Sequence, residues 1–169
     1  MTTIGVAVAI PEPWGTRLQE YRTSLGDTTA HTIPTHITLI PPTEIDAADL
    51  PAVEQHLAEV SARHAAYRVH LRGTGTFRPV SPVVFVQVSE GIPGCEMLAA
   101  DLRSGPLAVD LDFPYHPHVT IAHHLDDAGL DRAFTELADF DCAFSADEFH
   151  LYVHDDVTGW VPSRAFALQ

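Results

Sequence analysis

Two six-residue stretches share one pattern: Thr35-His36-Ile37-Thr38-Leu39-Ile40 and Pro117-His118-Val119-Thr120-Ile121-Ala122. Each stretch has a histidine two positions before a threonine, with apolar residues between them and at the two positions after the threonine. Side chains two positions apart on a β-strand point to the same face. We therefore predict two strands, each with a histidine–threonine face and an opposite apolar face that is buried in the core.

The repeated stretch indicates an internal duplication. After each copy come a polar break, a predicted helix and at least one predicted strand. Two units of this kind can pack as paired lobes in which the related strands face one another. The two polar faces would then line a shared cleft, on which four side chains converge: His36, Thr38, His118 and Thr120.

The rest of the chain alternates between predicted strands and helices. Pro41-Pro42 is expected to end the strand of the first motif, because proline cannot donate a hydrogen bond to a neighbouring strand. A loop is predicted where glycine and proline cluster, at Gly73, Gly75, Pro79 and Pro82. Strands are predicted at residues 3–10, 36–40, 67–72, 83–88, 118–122, 147–153 and 160–168. Helices are predicted at residues 14–25, 46–64, 95–103 and 127–138. Asp46 is the expected N-cap of the second helix, which ends at about residue 64, and Asp126 is the expected N-cap of the fourth.

Length and charge limit the kinds of partner. The chain has 169 residues, so we expect residues 1–169 to form a single bilobal domain. Its net charge is −14, and it contains nine arginines and no lysine, whereas proteins that bind long nucleic acids usually carry a basic stripe. A phosphate-bearing substrate is therefore expected to be small, or to enter the site only by its end.

The sequence also gives an expectation for location. No apolar run approaches the roughly 20 residues that span a bilayer, and the N-terminus has no basic segment typical of a signal peptide. Cys95 and Cys142 lie far apart and form no CxxC pair. We expect a cytoplasmic protein that does not bind membranes. No feature of the sequence indicates an oligomeric state.

Two imidazoles and two hydroxyls in one cleft suit phosphodiester cleavage. The reaction needs a base to activate the attacking oxygen and an acid to protonate the leaving oxygen. Histidine, with an unperturbed pKa near ~6.5, can do either near neutral pH. We assign these roles to His36 and His118, and expect Thr38 and Thr120 to donate hydrogen bonds to the nonbridging oxygens. This scheme requires no metal and no other cofactor.

The two motifs resemble those of the 2H phosphoesterase superfamily, which includes bacterial 2′-5′ RNA ligase-like proteins and cyclic nucleotide phosphodiesterases. The resemblance lies in residues 34–39 and 115–122. It implies an α+β fold of two pseudo-twofold-related lobes, each an antiparallel sheet with outer helices, around a central cleft. It also implies action on 2′,3′-cyclic phosphates or 2′-5′ linkages in nucleotides or RNA ends, with both histidines catalytic and both threonines binding phosphate.

Four other side chains are candidate substrate contacts: Phe77, Arg78, Tyr115 and His116. Arg78 could reach a phosphate, and His116 would share the strand face of His118. The rings of Phe77 and Tyr115 could stack on a nucleobase. The structural alternatives are a solvated arginine and aromatic rings that pack in the core.

Two other functions fit the same residues. A noncatalytic module that binds a small nucleotide or an RNA end would keep the cleft without turnover. A metal-dependent hydrolase would use the histidines around the second motif as ligands: His116, His118, His123 and His124. No cysteine or symmetric partner completes such a metal site, so the sequence favours the metal-independent phosphodiesterase.

Overall fold

The computed structural model describes residues 1–27 and 30–169, which form eight β-strands and four α-helices. The strands are β1 (Thr2–Ala9), β2 (His36–Ile45), β3 (Tyr67–Thr76), β4 (Val83–Glu90), β5 (His118–His123), β6 (Asp141–Ala146), β7 (Glu148–Asp155) and β8 (Gly159–Ala167). The helices are α1 (Trp14–Ser24), α2 (Leu50–Ala62), α3 (Ile92–Leu102) and α4 (Asp127–Glu136). Among these residues no helix is long and apolar enough to cross a membrane.

The strands form two antiparallel sheets, with orders β2-β1-β7-β8 and β5-β4-β3-β6. The motif strands β2 and β5 are the edge strands of their sheets, and they contact each other. Helix α1 connects β1 to β2, and helix α3 connects β4 to β5 in the same way. The units β1–α1–β2 and β4–α3–β5 are therefore equivalent, which confirms the predicted α+β fold with two related lobes.

The two motif strands bury the faces that their patterns predict. Ile37 and Leu39 of β2, and Val119 and Ile121 of β5, are completely buried. The motif histidine and threonine alternate with these residues and are half-buried on the opposite face of each strand. Burying each aliphatic side chain stabilises the fold by roughly 1.5–3 kcal/mol. Both sheets contribute to one hydrophobic core, and this burial fixes which face of each motif strand lines the cleft.

Strand β2 continues through Pro41 and Pro42, so the prediction that these prolines end the strand was wrong. Ile40 pairs with Val6 and Thr43 pairs with Ile4, so β2 has one more residue than β1 between the two pairs. The extra residue makes a bulge, and β2 is an edge strand. Both features tolerate residues that lack a backbone N–H.

Strand β3 extends to Thr76, so the loop begins at residue 77, four residues later than the predicted start at Gly73. Gly73 has φ +72°, in a region that glycine adopts readily, and the pairing with β4 shifts register between Leu71 and Thr74. A Cβ atom at Gly75 would lie 2.7 Å from the ring of Phe85. Glycine at position 75 therefore makes room for an aromatic side chain on β4.

Three other features differ from the sequence predictions or refine them. Strand β6 was not predicted, because Asp-Cys-Ala-Phe-Ser-Ala contains no β-branched residue. Asp46 makes no capping hydrogen bond, and α2 begins only at Leu50, after a short 3₁₀ turn. Asp126 does cap α4, because its carboxylate accepts a hydrogen bond of 2.8 Å from the backbone N–H of Gly129.

Candidate active site

The backbone orients both motif histidines in the same way. Nδ1 of His36 donates a hydrogen bond of 2.6 Å to the carbonyl oxygen of Pro34, and Nδ1 of His118 donates one of 2.7 Å to that of His116. A carbonyl oxygen only accepts, so each ring carries its proton on Nδ1. Each neutral ring therefore has a lone pair on Nε2, the nitrogen that can take up and release a proton.

Thr38 contacts the first of these rings. Its Oγ1 lies 3.1 Å from Nε2 of His36, so the hydroxyl donates to the neutral ring and accepts from the protonated ring. The carbonyl oxygen of Thr38 accepts a hydrogen bond of 2.7 Å from the hydroxyl of Tyr115. Tyr115 precedes β5, so this bond joins the two motifs across the cleft.

The surroundings lower the pKa of both imidazoles. Burial is the largest cause at His36; the charges of Arg22 and His118 add to it, and together they outweigh the hydrogen bond to Pro34 and lower the pKa to about 4. Burial, aided by the charge of His116, likewise lowers the pKa of His118 despite the hydrogen bond of its Nδ1. Both rings are therefore neutral at pH 7 in the unliganded protein. A bound phosphate would raise both pKa values, because an anion favours the protonated ring.

Two cavities adjoin each other and share Thr38 and Pro42 as lining residues. The larger has a volume of about 510 Å³ and extends from Thr38 to His118. The smaller has a volume of about 50 Å³ and lies beside His36 on the β2-β1-β7-β8 sheet. A phosphate hydrogen-bonded to Thr38 would therefore have one cavity on each side.

The two lobes differ beside their motif threonines. Thr38 pairs with Ala7 of β1, whereas Thr120, at the equivalent position, pairs with Phe85 of β4. The Phe85 ring packs on Phe77, with centroids 4.6 Å apart, and both rings contact the His118 ring at 5.3 and 4.9 Å. An aromatic cluster thus fills the second lobe where the first lobe has its small cavity.

The structure separates the candidate substrate contacts into two groups. Tyr115 and His116 line the larger cavity, together with residues 109–113. Phe77 makes a T-shaped contact with the His118 ring and lines neither cavity. Arg78 donates a hydrogen bond of 2.8 Å to Asp131 of α4 and lies 3.9 Å from Asp127. Its guanidinium is therefore already paired with carboxylates.

Three of the four motif residues line the two cavities. His36, Thr38 and His118 line one or both of them. Thr120 lies two residues after His118 on β5 and is half-buried on the same face of the strand, but it lines neither cavity.

Sequence reasoning missed two aromatic residues at the site. Tyr152 and Trp160, on the last two strands, line the small cavity. Alternate residues of β1 are small, namely Gly5, Ala7 and Ala9, and this pattern in the sequence could have indicated a cavity beside the strand. A strand with small residues on one face leaves space above that face.

Within residues 1–27 and 30–169, no three histidine, cysteine, aspartate or glutamate side chains come together in an arrangement that could hold a metal ion. His123 and His124 stack on each other with ring centroids 3.6 Å apart. His116 and His118 have ring centroids 6.0 Å apart.

Comparison with known proteins gives consistent results. A family model described as the 2′-5′ RNA ligase superfamily matches residues 10–158. A relative from Bacillus cytotoxicus, which bears the provisional name phosphoesterase, is 28% identical over 138 residues, or 80% of each chain. The crystal structure of TT0787 from Thermus thermophilus is 25% identical, with a TM-score of 0.74, over 99% of this chain and 98% of that one. Escherichia coli LigT complexed with 3′-AMP has the same coverage, 22% identity and a TM-score of 0.72, which shows the same fold.

Proposed function

The chain belongs to the 2′-5′ RNA ligase superfamily, and on that basis we propose that it is a metal-independent phosphodiesterase. Its substrates are 2′,3′-cyclic or 2′-5′-linked phosphates of small nucleotides or RNA ends. One observation supports the proposal: both imidazoles have Nδ1 bonded to a backbone carbonyl, so Nε2 is the nitrogen that can exchange protons, and at His36 this atom is hydrogen-bonded to the Thr38 hydroxyl. That arrangement suits general acid–base catalysis at a phosphate between them.

In the proposed reaction the two rings have opposite protonation states. One neutral imidazole accepts the proton of the attacking oxygen at Nε2, while the other, protonated, gives its Nε2 proton to the leaving oxygen. The hydroxyls of Thr38 and Thr120 donate to the nonbridging oxygens, where negative charge increases in the transition state. The phosphate itself helps to set up this pair, because its charge raises the lowered pKa values of His36 and His118.

The larger cavity supports a small nucleotide as the substrate. Its volume of about 510 Å³ falls within the range of small-molecule sites. Solved structures of E. coli LigT contain 3′-AMP, ATP and NADP⁺. Here Asp110 and Asp112 line the cavity, and no arginine is among the described residues that line either cavity. A long polyanion would be repelled, so only a mononucleotide or the end of an RNA is proposed to enter.

Two other features complete the proposal. We propose that residues 1–169 act as one bilobal domain, since both sheets contribute to one core. Cys95 and Cys142 are both free thiols, which fits the reducing cytoplasm that we propose as the location.

Turnover of 2′,3′-cyclic mononucleotides, and of a short RNA that ends in a 2′,3′-cyclic phosphate, tests this function. We expect hydrolysis of the mononucleotides at the same rate with and without EDTA, because the two imidazoles supply both proton transfers. Activity that EDTA abolishes and a divalent metal restores would contradict the mechanism. Binding of the nucleotides without turnover would instead identify a noncatalytic binding module.

A further inference from the structure

The small cavity beside His36 has a lining suited to an apolar group. Its walls are formed mainly by carbon atoms of strand and loop residues, and two aromatic side chains, Tyr152 and Trp160, lie on one side. His36 and Thr38 lie on the other side, where the cavity meets the cleft. These two residues are the ones expected to hold and protonate a phosphate ester.

Small residues of β1 keep this cavity open. Gly5 and Ala7 line it from β1, and a Cβ atom at Gly5 would be in ordinary van der Waals contact with the indole ring of Trp160, at 3.5 Å. In the second lobe the Phe85 ring occupies the position equivalent to Ala7. The cleft is therefore asymmetric although the motifs repeat, and only the His36 side has room beside its threonine.

This asymmetry matters for a phosphodiester, which carries an organic group on two of its oxygens. With the phosphate at Thr38, a nucleoside fits the larger cavity toward His118, and the second ester group points toward His36. We propose that the small cavity is a second substrate subsite, which binds a compact apolar or aromatic alcohol esterified to the phosphate opposite the nucleoside. This inference rests on the proposed phosphodiesterase function and specifies its substrate class.

With the second alcohol in this subsite, each histidine transfers one proton in the reaction. The free 2′- or 3′-hydroxyl of the nucleoside attacks phosphorus and forms a P–O bond, and Nε2 of neutral His118 takes its proton. The P–O bond to the second alcohol breaks, and Nε2 of protonated His36 gives its proton to that oxygen. The products are a 2′,3′-cyclic phosphate and the free alcohol. Water can then enter from the His36 side and open the cyclic phosphate.

Paired esters of matched reactivity test the subsite. The probes are the benzyl and methyl esters of adenosine 2′-phosphate and adenosine 3′-phosphate, since benzyl alcohol and methanol have similar acidity. We expect kcat/KM for the benzyl ester of the reactive isomer to exceed that for its methyl ester by about tenfold, as burial of an apolar ring predicts. Equal kcat/KM values for the two esters would overturn the subsite. Turnover of 2′,3′-cyclic AMP, assayed alongside, tests the proposed phosphodiesterase function separately.

Two substitutions change the cavity in opposite directions. Ala7→Leu fills it and Trp160→Ala removes one wall, so each should lower the benzyl-to-methyl ratio to about 1–2. Ala52→Leu is the matched control, because Ala52 is exposed on α2, outside both cavities, and gains the same carbon atoms. A ratio that stays near tenfold in both cavity variants, with the fold intact by circular dichroism, would contradict the proposal.

A binding measurement tests the same subsite without turnover. The chain has two tryptophans, so the indole N–H signal of Trp160 can be assigned by its loss in Trp160→Phe. The probe is the benzyl ester of 3′-deoxyadenosine 2′-phosphate, which lacks the attacking hydroxyl. We expect it to shift the Trp160 signal and leave that of Trp14 in place. No shift of the Trp160 signal at saturating probe would overturn the proposal.

Discussion

Replacing either His36 or His118 with alanine is expected to lower kcat on 2′,3′-cyclic AMP by about 10²–10⁴-fold. Each substitution removes one of the two Nε2 atoms that exchange protons with the attacking and leaving oxygens. The backbone hydrogen bonds of both Nδ1 atoms orient the rings but lie at the start of their strands, so their loss should leave the fold intact. Initial rates at saturating substrate measure the effect.

His70→Ala is the matched control for these two variants. His70 lies on β3, donates a hydrogen bond of 2.7 Å from Nε2 to the carboxylate of Asp141 and lines neither cavity. We expect the kcat of this variant to stay within about twofold of the wild-type value, because the lost hydrogen bond lies outside both cavities. If His36→Ala or His118→Ala turned over as fast as His70→Ala, the acid–base assignment would be wrong.

Removing the hydroxyl of Thr38 should lower kcat by about 10²-fold, the usual cost of losing a donor to a developing oxyanion. Valine is the appropriate replacement, because it keeps the β-branched shape on a strand. Thr38→Val also removes the hydrogen bond to Nε2 of His36, so we expect a larger loss than for Thr120→Val. Thr120 lines neither cavity, which makes its variant the sharper test of whether both motifs bind the phosphate.

Thr135→Val serves as the control for the threonine variants. Thr135 is exposed on α4 and lines neither cavity, so its kcat should not change. The same initial-rate assay compares the three variants. Values of kcat within twofold of wild type for both Thr38→Val and Thr120→Val would contradict phosphate binding by these hydroxyls.

The repeated motif was sufficient to predict the part of the fold that positions the site. Strict alternation placed Ile37 and Leu39 in the core, and their burial leaves His36 and Thr38 on the cleft side. The same holds for β5, and both strands lie at sheet edges that meet. Period-2 patterning depends only on local geometry, so it can be recognised without knowledge of strand partners.

Features that depend on pairing between distant strands could not be predicted in this way. The bulge and the prolines at Pro41-Pro42 are tolerated because β2 is an edge strand, and β6 forms through its pairing with β3 rather than through its own composition. Trp160 lines the small cavity only because β7 and β8 extend the sheet beside β1. Contacts of this range do not appear in any local window of sequence.

The pairing of Arg78 shows the same limit. Its ion pairs with Asp131 and Asp127 of α4 could not be predicted from its position after Phe77, and its contact with a phosphate stays a prediction. Tyr152 and Trp160, in the wall of the small cavity, had no motif to identify them. The motif strands can thus be predicted from the sequence, whereas the residues of the cavity walls are brought together by the packing of the whole chain.

The dependence of kcat/KM on pH tests the two-imidazole mechanism most directly. One ring must be protonated, so activity falls as pH rises above its pKa, and the other must be neutral, so activity falls as pH drops below its pKa. Both pKa values are lowered in the free protein, that of His36 to about 4. Because kcat/KM reports the free enzyme, its profile should be bell-shaped with a maximum below about pH 6.5.

The profile of kcat provides an internal comparison in the same experiment. It reports the complex, in which the phosphate raises both pKa values, so its maximum should lie at higher pH than that of kcat/KM. The measurement is the rate of 2′,3′-cyclic AMP hydrolysis between about pH 4 and 9 in the presence of EDTA. A bell-shaped kcat/KM profile on the acid side is the predicted result, and a flat or single-limbed profile would contradict catalysis by His36 and His118 as an acid–base pair.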